Sequence, residues 1–182
     1  MKVYNHNDAF VHLNYILKNQ IEDFFIATID DTVLHYGEDG GFDVDKAVKM
    51  GIKCYDLKKK GGAMVTSPGD IVYCFTTKDE DVKFNSNLRI FLANKLSQYN
   101  IHTEQTNNDL LVEDKKCFGF MYKKIGKIHF YGGHISIDCN LELIKQVCTK
   151  EMVKIPGGLG EYSITTNKVV DWLKEFWFYY KK

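Results

Sequence analysis

The chain of 182 residues, 45% of them hydrophobic and 14% aromatic, is long enough to fold as one domain with a full core. Its 24 basic and 24 acidic residues cancel, which excludes the strong positive field typical of nucleic-acid-binding proteins. No apolar run approaches the roughly 20 residues that span a bilayer, and the N-terminus lacks a signal-peptide pattern. We therefore expect a single cytoplasmic domain over residues 1–182, with neither nucleic acid nor a membrane as partner.

The basic residues and the cysteines restrict the chemistry further. Arg89 is the one arginine of the sequence, so an anion site has to use lysine or backbone N–H groups instead of arginine's planar fork. The cysteines are scattered and form no Cys-x-x-Cys pair, which indicates reduced thiols and not a disulfide framework or a zinc site. They are Cys54, Cys74, Cys117, Cys139 and Cys148.

Hydrophobic spacing and turn residues predict alternating helices and strands in the first half of the chain. In chain order these are a helix capped by Asn7 or Asp8, a strand at 24–29, its partner strand at 33–36, a short helix from Asp43 to Met50 that Gly51 ends, a strand at 52–57, and a strand pair around Pro68-Gly69-Asp70 that ends at Phe75.

The second half is richer in consecutive strands. Its predicted elements are a helix at 84–99, strands at 101–104, 110–112, 117–122 and 128–137, a short helix at 141–148, and a last helix capped by Asn167. Gly132 and Gly133 interrupt the last strand, which indicates a bulge or the close approach of a ligand. Because many strands follow one another through short turns, we expect an α+β fold with a mixed, largely antiparallel sheet flanked by helices.

Three local features of the sequence contain residues that could bind a ligand or take part in catalysis. The run 58–63, Lys-Lys-Lys-Gly-Gly-Ala, can turn backbone N–H groups toward an anion, although a basic surface turn has the same composition. A hairpin over 108–119 brings Asp109 near a lysine that can hold a phosphate or polarise an acyl carbonyl; an exposed hairpin with a loose ion pair is the alternative. His134 is either a ligand contact, a general base or a structural histidine.

Taken in order, these features resemble the catalytic domain of the lipoate–protein ligase and octanoyltransferase family, which is related in fold to the biotin–protein ligases. The resemblance runs from about residue 24 to residue 162. The segments that carry it are Gly61-Gly62-Ala63, Pro68-Gly69-Asp70, Asn108-Asp109-Leu110, Lys116-Cys117-Phe118-Gly119, and Gly133 with Ile135-Ser136-Ile137 and Leu141.

The resemblance implies that lipoate or octanoate reacts with ATP to give an acyl-adenylate, and that a lysine of a lipoyl-acceptor domain protein then takes the acyl group. It implies that Lys116 is catalytic and orients the acyl carbonyl and the α-phosphate. Asp109 would hold Mg²⁺ or the phosphates. The other residues implied to contact the acyl group or the nucleotide are Lys59, Gly61, Gly62, Ala63, Asn108, Gly119, Gly133 and His134.

The sequence departs from the family pattern at several points. Lys60 stands where another glycine is usual, and Thr66 where a histidine is usual; Pro156-Gly157-Gly158 lacks the thiol of the transferases' Pro-Cys-Gly element. A member that binds an acyl or nucleotide ligand, or a partner protein, without catalysis therefore remains an alternative. A cysteine acyltransferase that uses Cys148 and needs no ATP is another. We expect no C-terminal accessory domain of the kind common in lipoate ligases, and no biotin chemistry, because the arginine-rich glycine loop of the biotin ligases is missing.

Overall fold

The computed structural model describes residues 1–38, 40–56, 64–106, 108–152 and 154–180. The strands of this part are β1 (Lys2–Asn5), β2 (Asp23–Thr28), β3 (Val33–Tyr36), β4 (Lys53–Asp56), β5 (Met64–Thr66), β6 (Ile71–Thr77), β7 (Thr103–Gln105), β8 (Asp109–Val112), β9 (Lys115–Ile125) and β10 (Ile128–Ile135). The helices are α1 (His6–Asn19), α2 (Val44–Lys49), α3 (Phe84–Ser97), α4 (Leu141–Val147) and α5 (Thr166–Tyr180), with a 3₁₀ turn at Leu159–Tyr162.

The described strands form two sheets. The larger has seven strands in the order β1-β2-β6-β10-β9-β8-β7, and the smaller has three in the order β4-β3-β5. Only the β1–β2 and β3–β4 pairs are parallel among the described strands. The predicted fold class, α+β with a mixed, largely antiparallel sheet flanked by helices, is confirmed.

The large sheet buries both of its faces, because side chains alternate across each strand. On β2, Phe24 and Ile26 belong to the main core with helices α3 and α5, whereas Phe25 and Ala27 pack on the other face against α1. The small sheet has its own cluster with α2 and α4, built around Leu34, Ala47, Ile52 and Val147. Helices α3 and α5 thus cover one face of the large sheet, and α1 packs against β2 on the other.

Two strand pairings predicted from the sequence are wrong. Strand β3 does not pair with β2, because β1 and β6 occupy the two edges of β2 and leave β3 to pair with β4 and β5. The strands on either side of Pro68-Gly69-Asp70 do not pair with each other either, since β5 lies in the small sheet and β6 in the large one. The turn at 68–70 thus carries the chain from one sheet to the other.

Two predicted helix caps are displaced, and the bulge that was one of two alternatives at Gly132 and Gly133 lies elsewhere. The side chain of Asn5, and not that of Asn7 or Asp8, caps α1 by accepting from the backbone N–H of Asp8 at 2.9 Å. At the start of α5 the backbone N–H of Lys168 donates to Thr165 Oγ1 at 3.3 Å, and Asn167 lies inside the helix. Strand β10 pairs without a register shift to both of its neighbours; the bulge lies instead between β8 and β9.

The short helix α2 is confirmed, with the Asp43 side chain as its cap. In the described parts of the chain, no helix combines the length and the apolar character needed to cross a bilayer.

Candidate functional site

The hairpin of β8 and β9 brings Asp109 and Lys116 together. Lys116 pairs with Leu111, which lies two residues from Asp109 and hence on the same face of the sheet. The β-bulge after Leu110 shifts the register, so that Gly119 and not Phe118 lies opposite Asp109. The bulge therefore keeps the space beside this carboxylate free of a bulky side chain.

Two ammonium groups hold the Asp109 carboxylate. Lys116 Nζ lies 2.9 Å from Oδ1, and Lys154 Nζ lies 2.5 Å from Oδ2. Burial by itself would raise the pKa of Asp109, but the hydrogen bonds from Lys154 and Lys116 outweigh it and lower that pKa below its ordinary value. One buried carboxylate between two cations leaves the cluster with a net positive charge, which favours an anionic ligand.

The position of Lys154 follows from a second backbone pairing. The backbone N–H of Lys116 donates to Ile155 O at 2.8 Å, and the N–H of Gly157 donates to Lys116 O at 3.2 Å. A Cβ on Gly157 would lie 2.6 Å from Lys115 Cβ, so only glycine permits this close approach. The segment that follows α4 is thereby fixed along β9, next to Lys116.

We expect Asp109→Asn to lower the free energy of unfolding by about 1–3 kcal/mol at neutral pH, because the charge-assisted bonds from both lysines weaken. The pKa of Asp109 is lowered in the folded state, so its stabilising effect is complete above the unfolded-state pKa, about 3.9, and is lost as the pH falls through the folded-state value. Urea unfolding of both proteins between pH 3 and pH 7 measures this. A difference that stays constant with pH would contradict the ion-pair explanation.

A second buried carboxylate lies on the same face of the sheet. Asp70, 1% exposed, accepts from the backbone N–H groups of Ser67 (2.9 Å) and Ile137 (2.7 Å). It also lies 2.8 Å from Nε2 of His134. Because His134 pairs with Gly119 in the sheet, it shares the face that carries Asp109. Asp70 thus links the turn between the two sheets to the end of β10.

Three of these groups, those of Lys116, Lys154 and His134, line a cleft of about 510 Å³ between the small sheet and the large one. Lys116, Lys154 and His134 contribute charged or polar groups, while Phe118 and Ile144 are among its apolar walls. A cleft of this volume that combines polar side chains with apolar walls is typical of a small-molecule site.

A family model, described as the lipoyl protein ligase A/B catalytic domain, matches residues 11–177. The chain belongs to this family.

The sequence is also similar to a lipoate–protein ligase of known identity. Lipoate–protein ligase 1 of Plasmodium falciparum (isolate 3D7) is 30% identical over 95 residues, which make up 52% of this chain and 23% of that protein. The matched segment is therefore less than a quarter of that relative's length.

Solved structures of lipoate ligases share the fold. The crystal structure of P. falciparum LipL1 in complex with lipoate matches with a TM-score of 0.78 at 18% identity, covering 100% of this chain and 60% of that one. Lipoate–protein ligase A bound with ATP gives 0.76 at 14% identity, with coverage of 97% and 81%. The bi-partite ligase of Thermoplasma acidophilum, solved in a study with its E2 lipoyl domain, gives 0.73 at 12%, with coverage of 96% and 81%.

The structure brings together part of the site implied by the family resemblance. Lys116, Gly119 and His134 line the cleft, and Asp109 lies against Lys116. Asn108 is exposed, and its carbonyl accepts from the backbone N–H of Phe120 at 2.8 Å. Lys59, Gly61, Gly62 and Ala63 lie outside the described residues, as does Lys60.

Gly133 has a packing role that the sequence did not indicate. A Cβ there would lie 2.3 Å from Gly119 O and 2.4 Å from Tyr73 Cε1. Glycine is required at position 133 because β9 and the Tyr73 ring both lie too close for a side chain. A contact between Gly133 and a bound ligand stays a prediction.

Sequence reasoning missed Lys154 and the pairing of Asp70 with His134. The one available signal for Lys154 was its place near Pro156-Gly157-Gly158, the segment that lacks the thiol of the transferases' Pro-Cys-Gly element. In the sequence, Asp70 stands out only as part of the Pro68-Gly69-Asp70 segment.

Three of the five cysteines line the cleft, and two of them are poor nucleophiles. Burial raises the pKa of Cys117 to about 12 and that of Cys139 to about 11, so both stay protonated near neutral pH. Cys148 donates from Sγ to Lys150 O at 3.0 Å.

The residues present do not fit the Mg²⁺ site implied for Asp109. Both of its carboxylate oxygens are engaged by lysine ammonium groups. Within the described ranges, no three His, Cys, Asp or Glu side chains are grouped as metal ligands. A divalent cation at Asp109 would have to displace both ammonium groups, so no chemistry is assigned to a metal there.

Proposed function

We propose that this chain is a lipoate–protein ligase-type acyltransferase, which activates lipoate or octanoate with ATP as an acyl-adenylate and transfers the acyl group to a lysine of a lipoyl-acceptor domain. One observation carries this proposal: in a chain of this family, Lys116 lines the cleft, and its ammonium lies 2.9 Å from the carboxylate of the buried Asp109. Lipoate and ATP are bound in the related ligases. The T. acidophilum ligase and its E2 lipoyl domain support the class of acceptor.

The chemistry of the adenylate explains why a fixed lysine is useful there. When the carboxylate of the acid attacks the α-phosphate of ATP, negative charge accumulates on the phosphate oxygens; in the transfer step it accumulates on the carbonyl oxygen. An ammonium already oriented by a carboxylate stabilises both charges without reorganisation during the reaction. Lys154, on the other oxygen of Asp109, keeps that carboxylate in place and adds positive charge for the phosphates.

The decisive experiment has two readouts on the full chain. The first is lipoate-dependent exchange of labelled pyrophosphate into ATP, which reports adenylate formation. The second is the mass increase of a purified lipoyl-acceptor domain incubated with the chain, ATP and lipoate or octanoate. The proposal predicts both signals, and the absence of both from correctly folded protein would overturn it.

One observation favours a catalytically degenerate member as the second candidate. Thr66, at the position where the family has a histidine, is fully buried, and its hydroxyl donates to Val33 O at 3.3 Å. A side chain directed into the small sheet cannot act on a ligand in the cleft. This candidate predicts binding of lipoate or of an adenylate analogue, measured by calorimetry, without pyrophosphate exchange.

Cys148→Ser tests the cysteine acyltransferase alternative. We expect the variant to keep acyl transfer within about twofold of the wild type. In the ligase reaction the acceptor lysine attacks the acyl-adenylate directly, and no thiol of the enzyme takes part. Mass spectrometry of the acceptor domain measures the transfer. Loss of transfer in the variant, together with an acyl thioester trapped on Cys148 of the wild type, would instead establish the thiol route.

A further inference from the structure

The transfer step that ends the proposed reaction needs a base. The acceptor lysine enters as an ammonium, whose nitrogen has no lone pair to attack the acyl carbon. A base has to remove one proton from it before the carbon–nitrogen bond forms.

From the geometry of the cleft we propose that His134 is the general base for the acceptor lysine, with Asp70 as the residue that positions it. This inference rests on the proposed function. The proton of the ammonium passes to Nδ1 of His134, and the free amine attacks the acyl carbon. The bond from that carbon to the phosphate oxygen then breaks, AMP leaves with the electron pair, and the second proton of the new amide nitrogen goes to water.

The pairing with Asp70 determines which ring nitrogen acts. Both oxygens of Asp70 accept hydrogen bonds from backbone N–H groups, so the Nε2 of His134, 2.8 Å from Oδ2, is the nitrogen that carries the proton. Nδ1 then keeps its lone pair, and no hydrogen bond engages Nδ1 in the part of the chain that the structure describes. A carboxylate that fixes the tautomer of a histidine in this way leaves the second nitrogen basic.

The position of His134 is suitable for the transfer step. In the sheet, His134 of β10 lies opposite Gly119 of β9, and Gly119 lies opposite Asp109 of β8. His134 and Asp109, whose carboxylate holds Lys116, therefore lie on the same face with only a glycine between them. The glycine between them leaves room for the reacting acyl group. The His134 side chain is 14% exposed and lines the cleft, so it is accessible to a ligand but largely shielded from bulk water.

The other titratable groups that line the cleft are less suitable as bases. The thiols of Cys117 and Cys139 are protonated because burial raises the pKa of each. Lys116 and Lys154 are ammonium groups paired with Asp109. The remaining carboxylates, on Asp138 and Glu151, are exposed, so neither is shielded from bulk water as His134 is. Cys148 and Lys150 also line the cleft; the Cys148→Ser variant described above tests the thiol separately.

His134→Gln separates the two half-reactions. The amide of glutamine can still donate to Asp70 but has no basic nitrogen, so the variant keeps the hydrogen bond and loses the base. With synthetic lipoyl-adenylate and a purified lipoyl-acceptor domain, we expect the single-turnover transfer rate to fall by about 10²-fold or more. Lipoate-dependent pyrophosphate exchange should fall much less than transfer, because the base acts only after the adenylate has formed.

A second variant keeps the test decisive. His134→Ala should show the same transfer defect, and added free imidazole should restore part of the rate. Transfer by His134→Gln at the wild-type rate would overturn the assignment, and so would an equal loss of exchange and transfer in a variant with wild-type thermal unfolding. Wild-type protein that transfers from the synthetic adenylate but shows no exchange would overturn the ligase proposal, while the His134 variants would still test the base in the transfer step.

Discussion

Replacing Lys116 by alanine is expected to reduce both pyrophosphate exchange and acyl transfer by at least about 10²-fold, because each transition state loses an oriented positive charge. The fold should persist: the Lys116 side chain is 43% exposed, and Asp109 retains its bond from Lys154. We expect a loss of only about 1 kcal/mol in the free energy of unfolding. Lys116→Arg should remain strongly impaired, since a planar guanidinium cannot place its charge where the compact ammonium lies.

Lys174→Ala is the matched control for this series. Lys174 lies on α5, which packs on the opposite face of the large sheet, and it contacts Asp171 at 3.5 Å. Its loss removes the same charge from the chain without touching the cleft, so both activities should equal those of the wild type. Equal activity of Lys116→Ala and Lys174→Ala would show that Lys116 is not catalytic.

The second large effect concerns stability. Gly133→Ala should lower the free energy of unfolding by about 3 kcal/mol, at the upper end of typical overpacking costs. Its new Cβ would lie 2.3 Å from Gly119 O and 2.4 Å from the Tyr73 ring. Tyr73 is 1% exposed, and β10 is paired on both sides, so neither neighbour can move without disturbing the core. Guanidinium unfolding followed by circular dichroism measures the change.

Gly119→Ala provides the comparison from the same sheet. The nearest atom to its new Cβ is Lys116 Cε at 3.8 Å, an ordinary van der Waals contact. The free energy of unfolding should change by less than about 0.5 kcal/mol, while the added methyl group narrows the cleft and weakens the binding of an adenylate analogue. If Gly133→Ala were as stable as Gly119→Ala, the packing described for β10 would be incorrect.

The local part of the site was predictable because a hairpin is a short-range structure. Asp109 and Lys116 are seven positions apart, and alternation of side chains along two strands joined by a tight turn is enough to bring such residues to one face. The same reasoning could not locate the bulge, which depends on a single extra residue in β9 and moves Gly119 opposite Asp109.

The long-range part of the site was beyond this reasoning. Lys154 is 45 residues from Asp109, and His134 is 64 residues from Asp70. Such pairs depend on which strands become neighbours, and strand order follows from how whole faces are buried, not from local pattern. The wrong pairing of β3 has the same origin, because its apolar and aromatic residues fit either sheet.

The glycine loop is a different case. The predictions for Lys59, Gly61, Gly62 and Ala63 lie outside the described residues and stay predictions. Their strongest support is the order in which the family motifs follow one another along the chain.

A crystal structure of the chain bound to a non-hydrolysable lipoyl-adenylate analogue tests the central claim most directly. We expect the analogue to occupy the cleft between the two sheets, with Lys116 Nζ within about 3.2 Å of an oxygen of its acyl or phosphate group. An analogue bound in the crystal away from this cleft, or bound in the cleft with Lys116 still contacting only Asp109, would contradict it.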